Sequence, residues 1–149
     1  TSAQGGTSAA VVVLDGNTGE LLAVVGSPDP SGTFEGAQIN MATAPRPTGS
    51  TIKPFIYANA FEAGARPYSL IDDREYKYPI GNGYPLYHKN FDGTYVGEVT
   101  LHTALANSLN TPSVKLLEFT TLDAFYNVLE EELGLTPINP LSSYAYGIA

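Results

Sequence analysis

Two short apolar runs, Ala9–Leu14 (AAVVVL) and Glu20–Val25 (ELLAVV), flank five turn-forming residues, Asp15-Gly16-Asn17-Thr18-Gly19. β-Branched runs this close together, joined by Asp, Asn and Gly, predict a β-hairpin. Neither run alternates polar with apolar side chains, so the pattern predicts a hairpin covered on both faces. The 149 residues are 43% hydrophobic and 15% charged, which suits one globular domain with a real core and excludes bulk disorder.

The absence of Cys excludes a disulfide scaffold and a thiolate zinc site. A formal net charge of −8 argues against a nucleic-acid partner, which calls for a basic face. The longest apolar runs are far too short to span a bilayer. Residues 1–8 form a polar lead-in with neither the charged nor the apolar part of a signal peptide. With no initiator Met, the chain reads as an excised piece of a longer protein.

Beyond the hairpin, Gly26–Thr48 holds four prolines and reads as irregular chain. Thr51–Ala63 carries Ile52, Phe55, Ile56, Ala60 and Ala63 at helical spacing, with Gly64 as the stop. Arg66–Val99 is rich in Tyr, Pro and Gly without a sustained period, and a connection of that length is usually functional. Thr100 is placed to cap a short helix containing Leu101, Ala104 and Leu105. Thr111-Pro112 reads as a cap followed by an N1 proline, opening a helix through Val114, Leu117 and Glu118. Thr121 is placed to cap a third helix, with Leu122, Phe125, Val128, Leu129 and Leu133 inward and Gly134 ending it. Pro137–Ala149 begins an element that the sequence does not finish.

Ser50-Thr51-Ile52-Lys53 is the only Ser-x-x-Lys in the chain. On a helix, residues three apart share a face, so the Ser50 hydroxyl and the Lys53 amine can meet. A hydroxyl needs a base to attack at neutral pH, and a lysine serves as that base once desolvation lowers its pKa. The helix N-terminus adds backbone N–H groups for an oxyanion. Ser, Gly and Thr are also ordinary residues at helix starts, so the tetrad alone is weak. The flanks strengthen it. Pro54 denies the Ser50 carbonyl its usual i→i+4 donor, while Pro47 and Gly49 stiffen and turn the entry.

Ser108-Leu109-Asn110 lies in a short break between two helices. In extended chain, residues two apart point to one side, so the hydroxyl and the amide can face one cleft. The plain alternative is a polar interhelix turn. His88 and His102 have no carboxylate or Cys pattern around them, which disfavours a metal site or a Ser-His-Asp triad. Asp15-x-Asn17 lacks the later Gly and Glu of a calcium loop. Tyr76, Tyr78, Tyr84, Tyr87 and Tyr95 suit the packing of a long loop better than a binding platform.

The longer string Arg46-Pro47-Thr48-Gly49-Ser50-Thr51-Ile52-Lys53-Pro54-Phe55-Ile56-Tyr57 resembles the active-site segment of penicillin-binding proteins. It is most similar to the transpeptidase domain of the bifunctional, class A peptidoglycan synthases. Supporting pieces occur in the family's order: Val11–Gly26, Gln38–Thr43, Asn90-Phe91-Asp92-Gly93, Gly97–Leu101 and Ala104–Pro112. The resemblance covers about residues 9–149. It implies a β-lactamase/transpeptidase-like α/β (α+β) fold, an antiparallel sheet between helices, present here as its N-terminal part with the C-terminal strands missing.

The resemblance makes Ser50 the acyl-accepting nucleophile and Lys53 its base, with Ser108 and Asn110 serving proton transfer and substrate positioning. The implied reaction acylates Ser50 with the D-alanyl-D-alanine end of a peptidoglycan stem peptide and passes the acyl group to a neighbouring stem's amine. β-Lactams would acylate the same serine. No metal or cofactor is implied, and the implied location is the extracytoplasmic face of a bacterial membrane, the parent being membrane-anchored. The family's third motif, Lys-Thr-Gly, is absent: the four lysines precede Pro54, Tyr78, Asn90 and Leu116. The chain alone is therefore expected to be weak or inactive, with its hairpin covered by another chain or by the missing C-terminal part of the domain. Two rival readings remain: a D,D-carboxypeptidase or β-lactamase of the same fold, and a non-catalytic binding or scaffolding fragment.

Overall fold

The structure, a computed structural model, describes Gly6, residues 8–79 and residues 85–135. The chain divides into two compact units, Thr1–Arg46 and Pro47–Ala149.

In the first unit, strands β1 (Val11–Leu14) and β2 (Leu21–Val25) form the expected antiparallel hairpin, pairing Val11 with Val25 and Val13 with Ala23. The turn is organised by the Asp15 carboxylate, which accepts the backbone N–H groups of Asn17 and Thr18 at 2.8 and 2.9 Å. Those two donors hold the carboxyl below the usual carboxylate range. Every residue of β1 and β2 is exposed, so the described residues of this chain do not themselves supply the cover expected on both faces. Strand-favouring apolar residues report what surface they suit, not whether that surface is present. Gly26–Thr48 is irregular, as the prolines require. The Gly26 carbonyl accepts the Met41 N–H at 2.8 Å. A Cβ on Gly26 would lie 2.1 Å from Asn40 Oδ1 and 3.0 Å from its Cα, so any side chain there forces Asn40 to shift.

The second unit is built around helix α1 (Lys53–Glu62), entered through a 3₁₀ turn, Gly49–Ile52. Gly49 takes φ +54°, the left-handed region that glycine enters without penalty. Pro54 has no N–H, so the Ser50 carbonyl instead accepts the Lys53 N–H, a tight i→i+3 closure that accounts for the 3₁₀ geometry. Helix α2 (Leu101–Ala106) starts at Thr100, whose hydroxyl accepts the Thr103 N–H as the sequence predicts. Helix α3 (Asn110–Thr120) starts two residues earlier than expected, with Leu109 instead of Thr111 at the cap position. Thr111 and Pro112 therefore sit inside its first turn, where a proline costs no hydrogen bond. Thr121 caps α4 (Leu122–Asn127), which runs into a π-helical turn, Val128–Glu132. Of the side chains expected inward there, Phe125 and Leu129 are buried, whereas Leu133 is exposed. One apolar cluster unites the helices: Ile52, Ile56 and Tyr57 meet Leu101, Ala104, Leu117, Phe125 and Leu129.

The stretch Arg66–Val99 contains strands that its sequence does not announce. β3 (Leu70–Asp73) pairs with β6 (Gly97–Thr100), and β4 (Tyr76–Pro79) pairs with β5 (Pro85–His88), both antiparallel. Four-residue strands are too short to establish a period, and a proline ends one of them, at Pro79, and begins another, at Pro85. With the hairpin they give, among the described residues, a mixed α/β architecture of helices and three two-stranded antiparallel sheets. α3 holds these strands: Lys115 Nζ donates to the Asp72 carbonyl at 2.6 Å and lies 5.1 Å from the Tyr76 ring centre, while the Tyr76 hydroxyl donates to Glu118. No helix among the described residues is long and apolar enough to cross a membrane. Tyr84 and Pro137–Ala149 lie outside the described residues.

Candidate active site

The entry turn and the α2–α3 break bring together residues more than fifty positions apart. Lys53 opens α1 and is 1% exposed. Its Nζ donates to the Ser108 carbonyl at 2.5 Å, the Asn110 Oδ1 at 2.6 Å and the Ser108 Oγ at 3.2 Å. Three acceptors match the three protons of an ammonium. Burial works against that charge and pulls the Lys53 pKa down to about 8. Of the three partners, only the Ser108 hydroxyl can turn round and donate to a neutral amine, so Lys53 and Ser108 are the pair between which a proton can move.

The amine does not hydrogen-bond to Ser50, contrary to the direct meeting that helical spacing suggests. Lys53 is drawn instead to the α2–α3 break. Ser50 is exposed and lines an open cleft of about 1150 Å³ together with Gly49, Ser108, Leu109 and Asn110. The segment Lys89–Asp92 also lines the cleft. Ser50, Ser108 and Asn110 thus share one cavity, with the Lys53 amine hydrogen-bonded to the last two.

Ser108 and Asn110 reach this position by a route other than extended chain. Ser108 has φ +53°, left-handed backbone that a non-glycine residue adopts only at a cost of about 1–2 kcal/mol. Leu109 is extended, and Asn110 is the first residue of α3. The sharp reversal aims both the carbonyl and the hydroxyl of Ser108 at Lys53.

Sequence reasoning missed the residues that hold this arrangement. Asn110 Nδ2 donates to the Lys89 carbonyl at 2.6 Å, and the Asn110 N–H donates to Asn90 Oδ1 at 2.8 Å. Asn90 Nδ2 donates in turn to the Asp73 carboxylate, at 2.8 Å to the nearer oxygen, and to the Thr94 carbonyl at 2.9 Å. Asp73 also accepts the Val96 N–H at 3.0 Å and is fully buried. Asn90 was legible only as part of the string Asn90-Phe91-Asp92-Gly93. Asp73, beside Asp72 and Arg74, carries no signal of burial.

His88 is buried, with its pKa lowered by desolvation, and His102 is exposed on α2. Tyr87 lines the cleft, while the Tyr95 hydroxyl donates to the His88 carbonyl at 3.1 Å. No group of three His, Cys, Asp or Glu able to hold a metal occurs among the described residues.

Residues 9–136 match the family model for the penicillin binding protein transpeptidase domain. Penicillin-binding protein 1A of Aquifex aeolicus is 38% identical over 142 residues, covering 92% of this chain and 18% of that protein. Penicillin-binding protein 1A of Neisseria flavescens is 40% identical over 111 residues, 72% of this chain and 13% of that protein. The crystal structure of penicillin-binding protein 1A from Haemophilus influenzae superposes with a TM-score of 0.73 at 27% identity, over 93% of this chain and 22% of that one. The chain thus spans less than a fifth of the length of these curated relatives. With the family model matched over most of its length, the chain belongs to the penicillin-binding protein transpeptidase domain family.

Proposed function

We propose that this chain carries the acylation half of a serine D,D-transpeptidase that cross-links peptidoglycan stem peptides. The observation that carries the reading is the buried Lys53 amine, held by Ser108 and Asn110 at a cleft that Ser50 lines. Lys53, acting through the Ser108 hydroxyl, takes the Ser50 proton as Ser50 Oγ attacks the penultimate D-alanyl carbonyl. The peptide C–N bond then breaks, and the same pair returns the proton to the departing D-alanine amine. An acceptor amine attacks the resulting ester and gives up a proton along the same path, and Ser50 leaves protonated. A β-lactam enters by the first step and opens its ring instead of losing a leaving group. On this reading the reaction takes place on the extracytoplasmic face of a bacterial membrane.

The sequence holds no Lys-Thr-Gly, so residues 1–149 alone lack the cation for the substrate carboxylate and are expected to acylate poorly. In the family the strand carrying that motif normally also supplies one oxyanion N–H, and losing one such donor typically costs about 10²–10³ in rate. Exposure of Ser50 also leaves its ester open to water, which favours hydrolysis as the competing outcome. The test uses the native protein carrying this sequence and a labelled β-lactam, with the adduct mapped by mass spectrometry. An adduct on Ser50 that disappears in Ser50→Ala is the expected result, and unchanged labelling of that variant refutes the reading. Adding a D-amino acid acceptor to the acyl-enzyme then separates transfer from hydrolysis by product ratio.

A further inference from the structure

The chain of hydrogen bonds behind Lys53 has a fixed direction. Asp73 and the Thr94 carbonyl can only accept, so both face the Nδ2 protons of Asn90. Asn90 must then turn Oδ1 outward, where it receives the Asn110 N–H. The Lys89 carbonyl also can only accept, so it takes the Asn110 Nδ2. Asn110 is left with one possible orientation, Oδ1 toward the Lys53 amine. Consecutive residues, Lys89 and Asn90, therefore grip the side chain and the backbone of the same asparagine. A buried carboxylate met only by neutral donors is a costly way to brace a loop. Its acceptor-only character is what a neutral side chain lacks.

We propose that Asp73 and Asn90 are positioning residues for acylation: they lock the orientation of Asn110 and, through it, the place of the Lys53 amine beside Ser108. The proposal rests on the acylation chemistry assigned above. Neither residue lies within the pair that exchanges the proton, so each acts through Asn110. Misplacement of a catalytic group by about 1 Å costs on the order of 10² in rate. In Asn90→Asp, two carboxylates face each other, the Nδ2 donor shared by Asp73 and Thr94 is gone, and Asp73 keeps only the Val96 N–H. In the double exchange Asp73→Asn/Asn90→Asp, the formal charge equals that of the native chain. Residue 73 then donates to residue 90, residue 90 still accepts the Asn110 N–H, and only the Thr94 carbonyl is left without its donor, so the rescue is partial.

The experiment is stopped-flow acylation of the native protein by a chromogenic β-lactam, with the first-order rate constant, the affinity of the initial complex and the labelling amplitude read separately. Asn90→Ala and Asn90→Asp are expected to lower the rate constant about 100-fold with less than about threefold change in affinity. The double exchange is expected to recover at least tenfold over Asn90→Asp. A loss confined to amplitude, at native rate constant, reports fewer folded molecules and overturns the positioning role. So does a double exchange no faster than Asn90→Asp. The Ser50→Ala control keeps the two ideas apart: if it still labels, the acylation assignment fails and the positioning role falls with it. If labelling vanishes there while Asn90→Ala reacts at native rate, only the positioning role fails.

Discussion

Lys53 gathers three oxygens around an amine that burial would prefer neutral. Burial lowers its pKa to about 8, so at pH 7 roughly a tenth of molecules hold the free base. Acylation of the native protein should rise with pH and level off above about pH 8, a limb read from the rate constant across pH 6–10. Lys53→Arg should abolish acylation, because a guanidinium stays protonated throughout that range. The sign for stability is separate. The folded pKa lies below the unfolded one, so between about pH 8 and 10.5 the unfolded chain binds more protons and Lys53 adds stability as pH rises. Lys53→Met should lack that increment, seen as a Tm gap between the two proteins that changes across the window. Ser108 offers a second check at this scale. Ser108→Ala and Ser108→Gly both remove the hydroxyl and should both slow acylation. The glycine variant should be about 1 kcal/mol more stable than the alanine one, since only glycine takes φ +53° without strain. Ser50, Lys53, Ser108 and Asn110 were legible because each pair lies within three residues and carries its own chemical pattern. Asp73 and Asn90 were not, because what marks them is burial and pairing across 17 positions, which no local pattern encodes.

Helices α1, α2 and α4 were readable from capping residues and apolar spacing, and their boundaries follow from Pro54, Thr100 and Thr121. The four strands of Leu70–Thr100 were not, since each is a single four-residue segment whose partner lies up to 30 positions away. Thr100→Ala removes the hydroxyl that accepts the Thr103 N–H and should cost about 1 kcal/mol in chemical denaturation, with no change in m. The 3₁₀ entry to α1 is a more telling element. In such a turn side chains three apart eclipse, with a rise of about 2.0 Å per residue against about 1.5 Å in an α-helix. Ser50 and Lys53 are thereby set farther apart along the axis than α-geometry allows. Pro54→Ala restores an N–H that can reach the Ser50 carbonyl and draw the turn into α-geometry. Acylation should fall about tenfold while the helix content by circular dichroism stays the same or rises. An unchanged rate would mean that the spacing carries no chemistry.

At the scale of the whole chain, the sequence conveyed the family and the order of its parts, because the Arg46–Tyr57 string and the Ser108–Asn110 string are specific and correctly ordered. The hairpin's apolar content called for cover on both faces but not for its source, and the described residues do not supply it. Every residue of Val11–Leu14 and Leu21–Val25 is exposed, and neither strand contains a charge. Such a ribbon has two open edges that template further strands. The remaining obstacle to association is colloidal: a net charge of −8 keeps molecules apart over a distance set by salt. That distance shrinks from about 30 Å at 0.01 M to about 3 Å at 1 M. The 149-residue chain should therefore sediment as a monomer in dilute buffer and as larger species near 1 M sodium chloride, and Val12→Lys should suppress the shift. The chain's shelf life in solution is then governed by its ionic medium more than by the strength of its fold.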